Sequence, residues 1–143
     1  MKKLILFVSF VLIIVAFGTV HAKEKKNILS AEASLTVGQS IAIFMNGVVD
    51  DLQKLAEYEA PVIISYFKDK DLVVVIIMGS RKTVDGAKKS MEDFNSKVMK
   101  NLIELIKQFY NIEMTEHDYS VIYKNKYTKK LMLQKIDGKF LIP

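Results

Sequence analysis

Few residues of this chain could do chemistry, and the strongest cluster among them is the run Glu116-His117-Asp118. A histidine between two carboxylates offers metal ligands and proton carriers. Adjacent residues in an extended chain point to opposite faces, however, and polar clusters are typical of loops between elements. We therefore interpret the run as a surface loop. A metal-dependent or acid/base hydrolase built on these three residues is kept as an alternative function.

Other patterns of catalytic or cofactor sites are missing from the sequence. The serines lack the Gly-x-Ser-x-Gly elbow, and the absence of cysteine excludes disulfides and thiolate metal sites. Segment 79–83 has too few glycines for a phosphate-binding loop. Backbone amides there, beside Arg81 and Lys82, could hold an anion, but a simple helix cap is the favoured interpretation. We predict no catalytic residue, no cofactor and no bound metal, and we favour a noncatalytic protein.

Positive charge is concentrated near the C-terminus, where six lysines stand against a single acid, Asp137, between positions 124 and 139. Aromatic residues are interleaved with these lysines. The candidate surface for an anionic partner consists of Lys124, Lys126, Lys129, Lys130, Lys135 and Lys139. A structural role is the favoured interpretation, because lysines on edge strands keep open sheet edges from pairing with other chains.

The partners that such a surface would suit are an acidic envelope protein, an anionic glycan or a lipid headgroup. Nucleic acid is not expected. The chain has one arginine, Arg81, whereas recognition of phosphates and base edges usually recruits several guanidinium groups.

The N-terminus predicts an export signal. Lys2 and Lys3 precede an apolar run from Leu4 to Phe17, and small residues lead up to Ala22. We predict a signal peptide over residues 1–22, cleaved after Ala22, and a periplasmic or secreted product. An uncleaved membrane anchor is the alternative, because the 17 residues from position 4 to position 20 approach the length of a spanning helix.

The remaining chain is long enough for one domain. Residues 23–35 predict a polar tail or a short edge strand, and residues 36–143 predict a single domain. Apolar residues at steps of three and four over 37–55 predict a helix, which Thr36 and Gln39 can begin with a capping box. Asn46-Gly47 offers a competing interpretation, a hairpin turn between two strands.

Further elements follow the first helix. Residues 62–68 and 72–78 predict paired strands, because both are rich in β-branched residues. A second helix is expected from the Thr83 cap to about Tyr110, long enough that one end should bend or project. Strands are predicted over 119–124, 128–136 and 139–142, with a type I′ turn at Asp137-Gly138.

The predicted class is therefore α+β: a two-layer sandwich of an antiparallel sheet with two helices on one face, in the order α-β-β-α-β-β-β. The predicted function is a noncatalytic binding or interaction module in the cell envelope. Besides the hydrolase, a second alternative is a structural subunit. It would form a homodimer through the second helix, at Val98, Leu102, Ile103 and Ile106.

Overall fold

The computed structural model describes residues 36–143. The predicted signal peptide, residues 1–22, and the predicted tail, residues 23–35, lie outside this part. The described elements are α1 (Val37–Ala56), β1 (Val62–Phe67), β2 (Leu72–Gly79), α2 (Val84–Phe94), a π-helical turn (Asn95–Met99), α3 (Lys100–Tyr110), β3 (Tyr119–Asn125), β4 (Leu131–Ile136) and β5 (Lys139–Leu141). Since α2, the π turn and α3 together form the predicted second helix, the order α-β-β-α-β-β-β and the α+β class are confirmed.

The start of α1 is fixed by the predicted capping box. The Thr36 hydroxyl accepts a hydrogen bond from the Gln39 backbone N–H at 3.2 Å, and the Gln39 side chain accepts one from the Thr36 N–H at 3.1 Å. The hairpin interpretation of Asn46-Gly47 is wrong, because both residues lie within α1.

Asn46 has a specific role in the middle of α1. Its side-chain oxygen accepts a hydrogen bond from the Ile64 N–H at 2.9 Å, and its amide nitrogen donates to the Ile64 carbonyl. Ile64 lies on β1, an edge strand of the sheet. Asn46 thus occupies two backbone groups that an edge strand would otherwise offer to another chain.

The π turn keeps the long second helix packed against the core. The apolar stripe of this helix includes Phe94, Val98 and Leu102, which are four residues apart. In an α-helix of about 100° per residue, these two steps of four would rotate the stripe by about 80° around the helix axis. A wider π turn reduces this rotation. Val98, Met99 and Leu102 are all fully buried as a result. The interruption in this long helix is therefore a local change of helical pitch.

A buried tyrosine ties the segment after α1 to α2. The Tyr58 hydroxyl lies 2.8 Å from the Ser90 hydroxyl, and its ring centroid lies 5.4 Å from that of Phe94. Burial raises the pKa of Tyr58 to about 12, so the phenol stays neutral and able to donate.

The five strands lie in the order β1-β2-β3-β4-β5. The prediction of an antiparallel sheet is right for β1–β2, β3–β4 and β4–β5, but β2 and β3 are parallel. The reason is the helical connection, which carries the chain back along the sheet before β3 begins. In this register Gly79 at the end of β2 pairs with Asn125 at the end of β3, so both strands end at the same edge of the sheet.

The first helix, α1, and the long second helix both pack on one face of the sheet. That face contributes Val75, Ile77, Tyr123 and Leu133 to the core, each no more than 1% exposed. Within residues 36–143, no helix packs on the opposite face, which we call the uncovered face. Its large apolar side chains Ile63, Phe67 and Leu141 are 54%, 52% and 51% exposed.

Most of the surface predicted for a homodimer is used within the chain. Val98, Leu102 and Ile106 are fully buried in the core, and Ile103 packs against it. Homodimer formation stays a prediction, but these three side chains are not available to a second copy. Within residues 36–143, no helix is long and apolar enough to cross a bilayer.

Gly79→Ala tests the packing of the parallel strands, and Gly47→Ala, in α1, is the control. A methyl group at Gly79 would overlap the Tyr123 hydroxyl, whereas one at Gly47 would meet nothing within 4 Å. We expect Gly79→Ala to lower the free energy of unfolding by about 1–3 kcal/mol, because overpacking displaces the buried tyrosine. Gly47→Ala should raise it by up to about 1 kcal/mol through helix propensity. Urea denaturation measures both, and equal stability of Gly79→Ala and the unmodified protein would contradict this packing.

Candidate anion-binding site

A cavity of about 520 Å³ lies at the sheet edge where β2 and β3 end. It is formed by the start of α2, the loop between β3 and β4, the first residues of β4 and the C-terminal residues. Its lining consists of Lys82, Val84, Asn125, Tyr127, Thr128, Lys130, Leu131, Met132, Ile142 and Pro143. Crevices at the carboxyl ends of parallel strands are common ligand sites in open sheets.

Asn125 holds the β3–β4 loop in place. This side chain is only 7% exposed, and its oxygen accepts hydrogen bonds from the backbone N–H groups of Tyr127 and Thr128 at 2.9 and 3.0 Å. Its nitrogen donates to the Arg81 carbonyl at 3.0 Å. A single amide therefore shapes one wall of the cavity and joins it to the loop that precedes α2.

Tyr123 makes a second connection to the same loop. Its buried hydroxyl accepts a hydrogen bond from the Arg81 N–H at 3.0 Å. The Lys126 N–H also donates to the Gly79 carbonyl at 2.8 Å, which continues the parallel ladder past the end of the strands. The two loops that line the cavity are thus held by hydrogen bonds from β3 and from the residue that follows it.

The beginning of α2 is capped from within the chain. The Thr83 hydroxyl accepts a hydrogen bond from the Gly86 N–H at 3.0 Å, and Asp85 lies in the first turn. The helix-cap interpretation of this segment is confirmed, and Arg81 and Lys82 are exposed beside the cap. The candidate site therefore rests on the cavity and not on the helix terminus.

The charged side chains that line the cavity are all positive. Lys82 and Lys130 are its charged residues, and no acidic side chain is among those that line it. Neither lysine forms a salt bridge within the described part of the chain. Two cations at one concave site attract an anion more strongly than the same charges spread over a convex surface.

The six lysines predicted as one anionic-partner surface are divided among several places. Lys126, Lys129 and Lys130 belong to the β3–β4 loop, and of these Lys130 lines the cavity. The Lys126 ammonium lies 5.0 Å from the centroid of the Tyr127 ring. Of the six lysines, Lys130 alone is among the lining residues.

The other three lysines have different surroundings. Lys124 pairs with Met78 in the sheet, on the side of β3 opposite Tyr123. Lys135 lies 3.7 Å from a Glu116 carboxylate oxygen, and Lys139 is exposed on the edge strand β5. The edge-protection interpretation suits Lys139, because it lies on an outer strand.

The Glu116-His117-Asp118 run lies at the opposite end of β3 from the cavity, and its three side chains face different partners. Glu116 pairs with Lys135, whereas Asp118 accepts hydrogen bonds from the Thr115 backbone and hydroxyl at 2.7 and 3.1 Å. Across positions 36 to 143, no three His, Asp or Glu side chains are grouped closely enough to hold a metal ion. The geometry places this run in an exposed loop.

The sequence alone does not bring Lys82 and Lys130 together, and it does not single out Asn125. In the sequence, Lys82 is a neighbour of the helix start and Lys130 is part of the basic C-terminal stretch. The signal that could have joined them is the parallel direction of β2 and β3, which brings the ends of both strands to one edge. Asn125 followed by Lys126 is an ordinary loop pattern that carries no local sign of a buried amide.

A titration tests the geometry of the acidic loop. His117 Nδ1 lies 2.9 Å from Asp137 Oδ1, and this hydrogen bond and charge raise the pKa of His117 above 6.5. We expect Asp137→Asn to lower the pKa of His117 toward 6.5, because it removes the negative charge beside the ring. The fold should be kept, since asparagine also tolerates the left-handed backbone of position 137, at φ 50°. Asp118→Asn, the control, should lower it less, because the charge of Asp118 contributes less than that of Asp137.

The measurement is a proton NMR titration of the His117 ring in the three proteins. Because the folded pKa is raised, the stability that the pair contributes is fully present below the unfolded pKa and is lost as pH rises through the folded pKa. Equal His117 pKa values in the unmodified protein and Asp137→Asn would contradict the contact.

Comparisons of this chain with protein-family models, curated proteins and solved structures find no match.

Proposed function

We propose that this protein is a noncatalytic binding module of the cell envelope that holds an anionic ligand in the cavity at the ends of β2 and β3. The observation that carries the proposal is the meeting of Lys82 and Lys130, from distant parts of the sequence, in one cavity without an acidic side chain. Cavities of about 300–1,000 Å³ are typical of small-molecule sites.

The composition of the lining supports binding over catalysis. It offers ammonium groups and hydroxyls as hydrogen-bond donors, from Lys82, Lys130, Tyr127 and Thr128. It contains no carboxylate side chain, imidazole or thiol. The arrangement can therefore hold and orient an anion through its ammonium groups and hydroxyls.

The envelope location rests on the predicted signal peptide over residues 1–22. The envelope is rich in phosphate and carboxylate groups, on lipids and glycans and in small molecules, and these suit a concave positive site.

A second candidate function is assembly with another copy of the chain through the uncovered sheet face. The favouring observation is the exposure of Ile63, Phe67 and Leu141 there. Five strands about 4.8 Å apart and about 20 Å long give a projected area of about 480 Å². Such a contact is at the small end of stable interfaces, which bury about 800 Å² on each partner. We therefore rank assembly below ligand binding.

The first test uses pyrophosphate, an anion without an apolar part, in titration calorimetry. We expect the double variant Lys82→Gln/Lys130→Gln to bind it about tenfold more weakly than the unmodified protein, as the loss of about 1.4 kcal/mol from two charged contacts predicts. Added salt should weaken binding by the unmodified protein, because exposed charges are screened.

The matched control is Lys70→Gln/Lys100→Gln, which removes the same charge elsewhere. Lys70 lies in the turn between β1 and β2, at the other end of the sheet, and Lys100 lies on α3. This variant should bind pyrophosphate nearly as well as the unmodified protein. Equal losses in both double variants would show that net charge and not the cavity governs binding, and they would overturn the proposal.

Sedimentation velocity tests the second candidate. Assembly through the uncovered face predicts a sedimentation coefficient that rises with concentration and that Ile63→Ser returns to the monomer value. Ile63 is 54% exposed, so this substitution should leave the fold intact. A monomer value for the unmodified protein at every concentration would eliminate the candidate.

A further inference from the structure

We infer that the ligand of this cavity is an anionic amphiphile, a small molecule with a carboxylate, sulfonate or phosphate head and an apolar chain or ring. The head would lie at Lys82 and Lys130, and the apolar part would contact Val84, Leu131 and Met132. This inference rests on the proposed function and narrows it to one chemical class.

The lining of the cavity has two kinds of surface. Lys82, Lys130 and Thr128 offer charge and hydrogen bonds, whereas Val84, Leu131, Met132 and Ile142 are apolar. A hydrated ion would leave the apolar side chains in contact with water, and a hydrocarbon would leave the two ammonium groups without a counter-charge. A molecule with both kinds of group matches both kinds of surface, and each would add to affinity.

The volume of the cavity also favours a ligand with an apolar part in addition to its head. A carboxylate or phosphate head occupies about the space of two or three water molecules, each of about 30 Å³. The cavity volume is about 520 Å³, so most of it stays available for another part of the ligand. An apolar part is the one that the remaining lining suits.

Two of the side chains that line the cavity, Tyr127 and Ile142, are large, hydrophobic and strongly exposed. Tyr127 and Ile142 are 71% and 70% exposed, the highest values among the large hydrophobic side chains of residues 36–143, and both line the cavity. Single exposed hydrophobic residues are ordinary, but two that line one cavity together with a pair of cations offer a surface at which a ligand can bury apolar area.

The same head-and-tail chemistry is available in a free amphiphile and in a lipid of a membrane surface. A concave site of this volume takes a single molecule of moderate size, so we assign the free amphiphile as the ligand. Vesicle binding then becomes a separate arm of the test.

The test is titration calorimetry with acetate, butanoate, octanoate and 1-octanol, at concentrations below micelle formation. We expect octanoate to bind at least tenfold more tightly than butanoate, because added methylene groups are removed from water. Octanoate should also bind at least tenfold more tightly than uncharged 1-octanol. The Lys82→Gln/Lys130→Gln variant should weaken octanoate and pyrophosphate alike.

Ile142→Ser separates the apolar contribution from the charged one. Its side chain is exposed, so the substitution should preserve the fold, and circular dichroism checks this. We expect octanoate to bind at least threefold more weakly to this variant, while pyrophosphate binding stays unchanged. Leu131→Ser, deeper in the lining, should reproduce the same selectivity if its melting curve shows it to be folded.

The outcomes distinguish the two proposals. If pyrophosphate binds but octanoate binds no better than butanoate, the amphiphile inference is wrong and the proposed function stands. If neither pyrophosphate nor octanoate binds, both are wrong. Pelleting with phosphatidylglycerol vesicles, together with no binding of free octanoate, would overturn the free amphiphile in favour of a membrane surface.

Discussion

The fold around the candidate site depends on the parallel pairing of β2 with β3 and on two side chains that hold the ends of these strands together. Tyr123 and Asn125 of β3 both hydrogen-bond to the backbone of Arg81, one to its N–H and the other to its carbonyl. Both side chains are buried, so losing a partner would cost about 1–3 kcal/mol per group. Gly79 is required beside them because a Cβ there would overlap the Tyr123 hydroxyl. These contacts fix the two loops from which Lys82 and Lys130 meet.

The charged side chains at the two ends of the sheet have different surroundings. At the end where β3 begins, charges are paired: Glu116 with Lys135 and His117 with Asp137. At the end where β2 and β3 finish, Lys82 and Lys130 line a cavity without an acidic side chain. Exposed salt bridges such as those at the first end contribute little to stability, so that end is best understood as solvated surface. Lys82 and Lys130, which form no salt bridge within residues 36–143, are the feature of the cavity that favours an anionic ligand.

Local features of the fold and the placement of both helices on one sheet face were predictable from the sequence, whereas the direction of the β2–β3 pair was not. The capping box at Thr36 and the Asp137-Gly138 turn depend on a few adjacent residues, and both of these turn residues have the positive φ that a type I′ turn needs, 50° and 75°. Strand direction depends instead on where the helical connection returns the chain, which no residue pattern in β2 or β3 records. Asn46 was ambiguous for a similar reason, since its partner Ile64 lies on another element.

The candidate site was predictable only in part. The basic C-terminal stretch and the exposed cations before the second helix are visible in the sequence, but their meeting in one cavity follows from the parallel pair. The predicted surface of six lysines therefore contributes one residue, Lys130, to the lining. The apolar side chains beside it, including Ile142, carried no sign in the sequence that they share a cavity with two cations.

The central claim is that the ligand lies at the ends of β2 and β3, and the most direct measurement is a map of backbone amide chemical shifts during titration of ¹⁵N-labelled protein with octanoate. The account predicts that the largest changes fall on residues 82–84, 125–132 and 142, with little change at Ile63 or Phe67 on the uncovered face. Changes centred on Ile63 and Phe67 would contradict it, as would a titration that leaves residues 125–132 unperturbed.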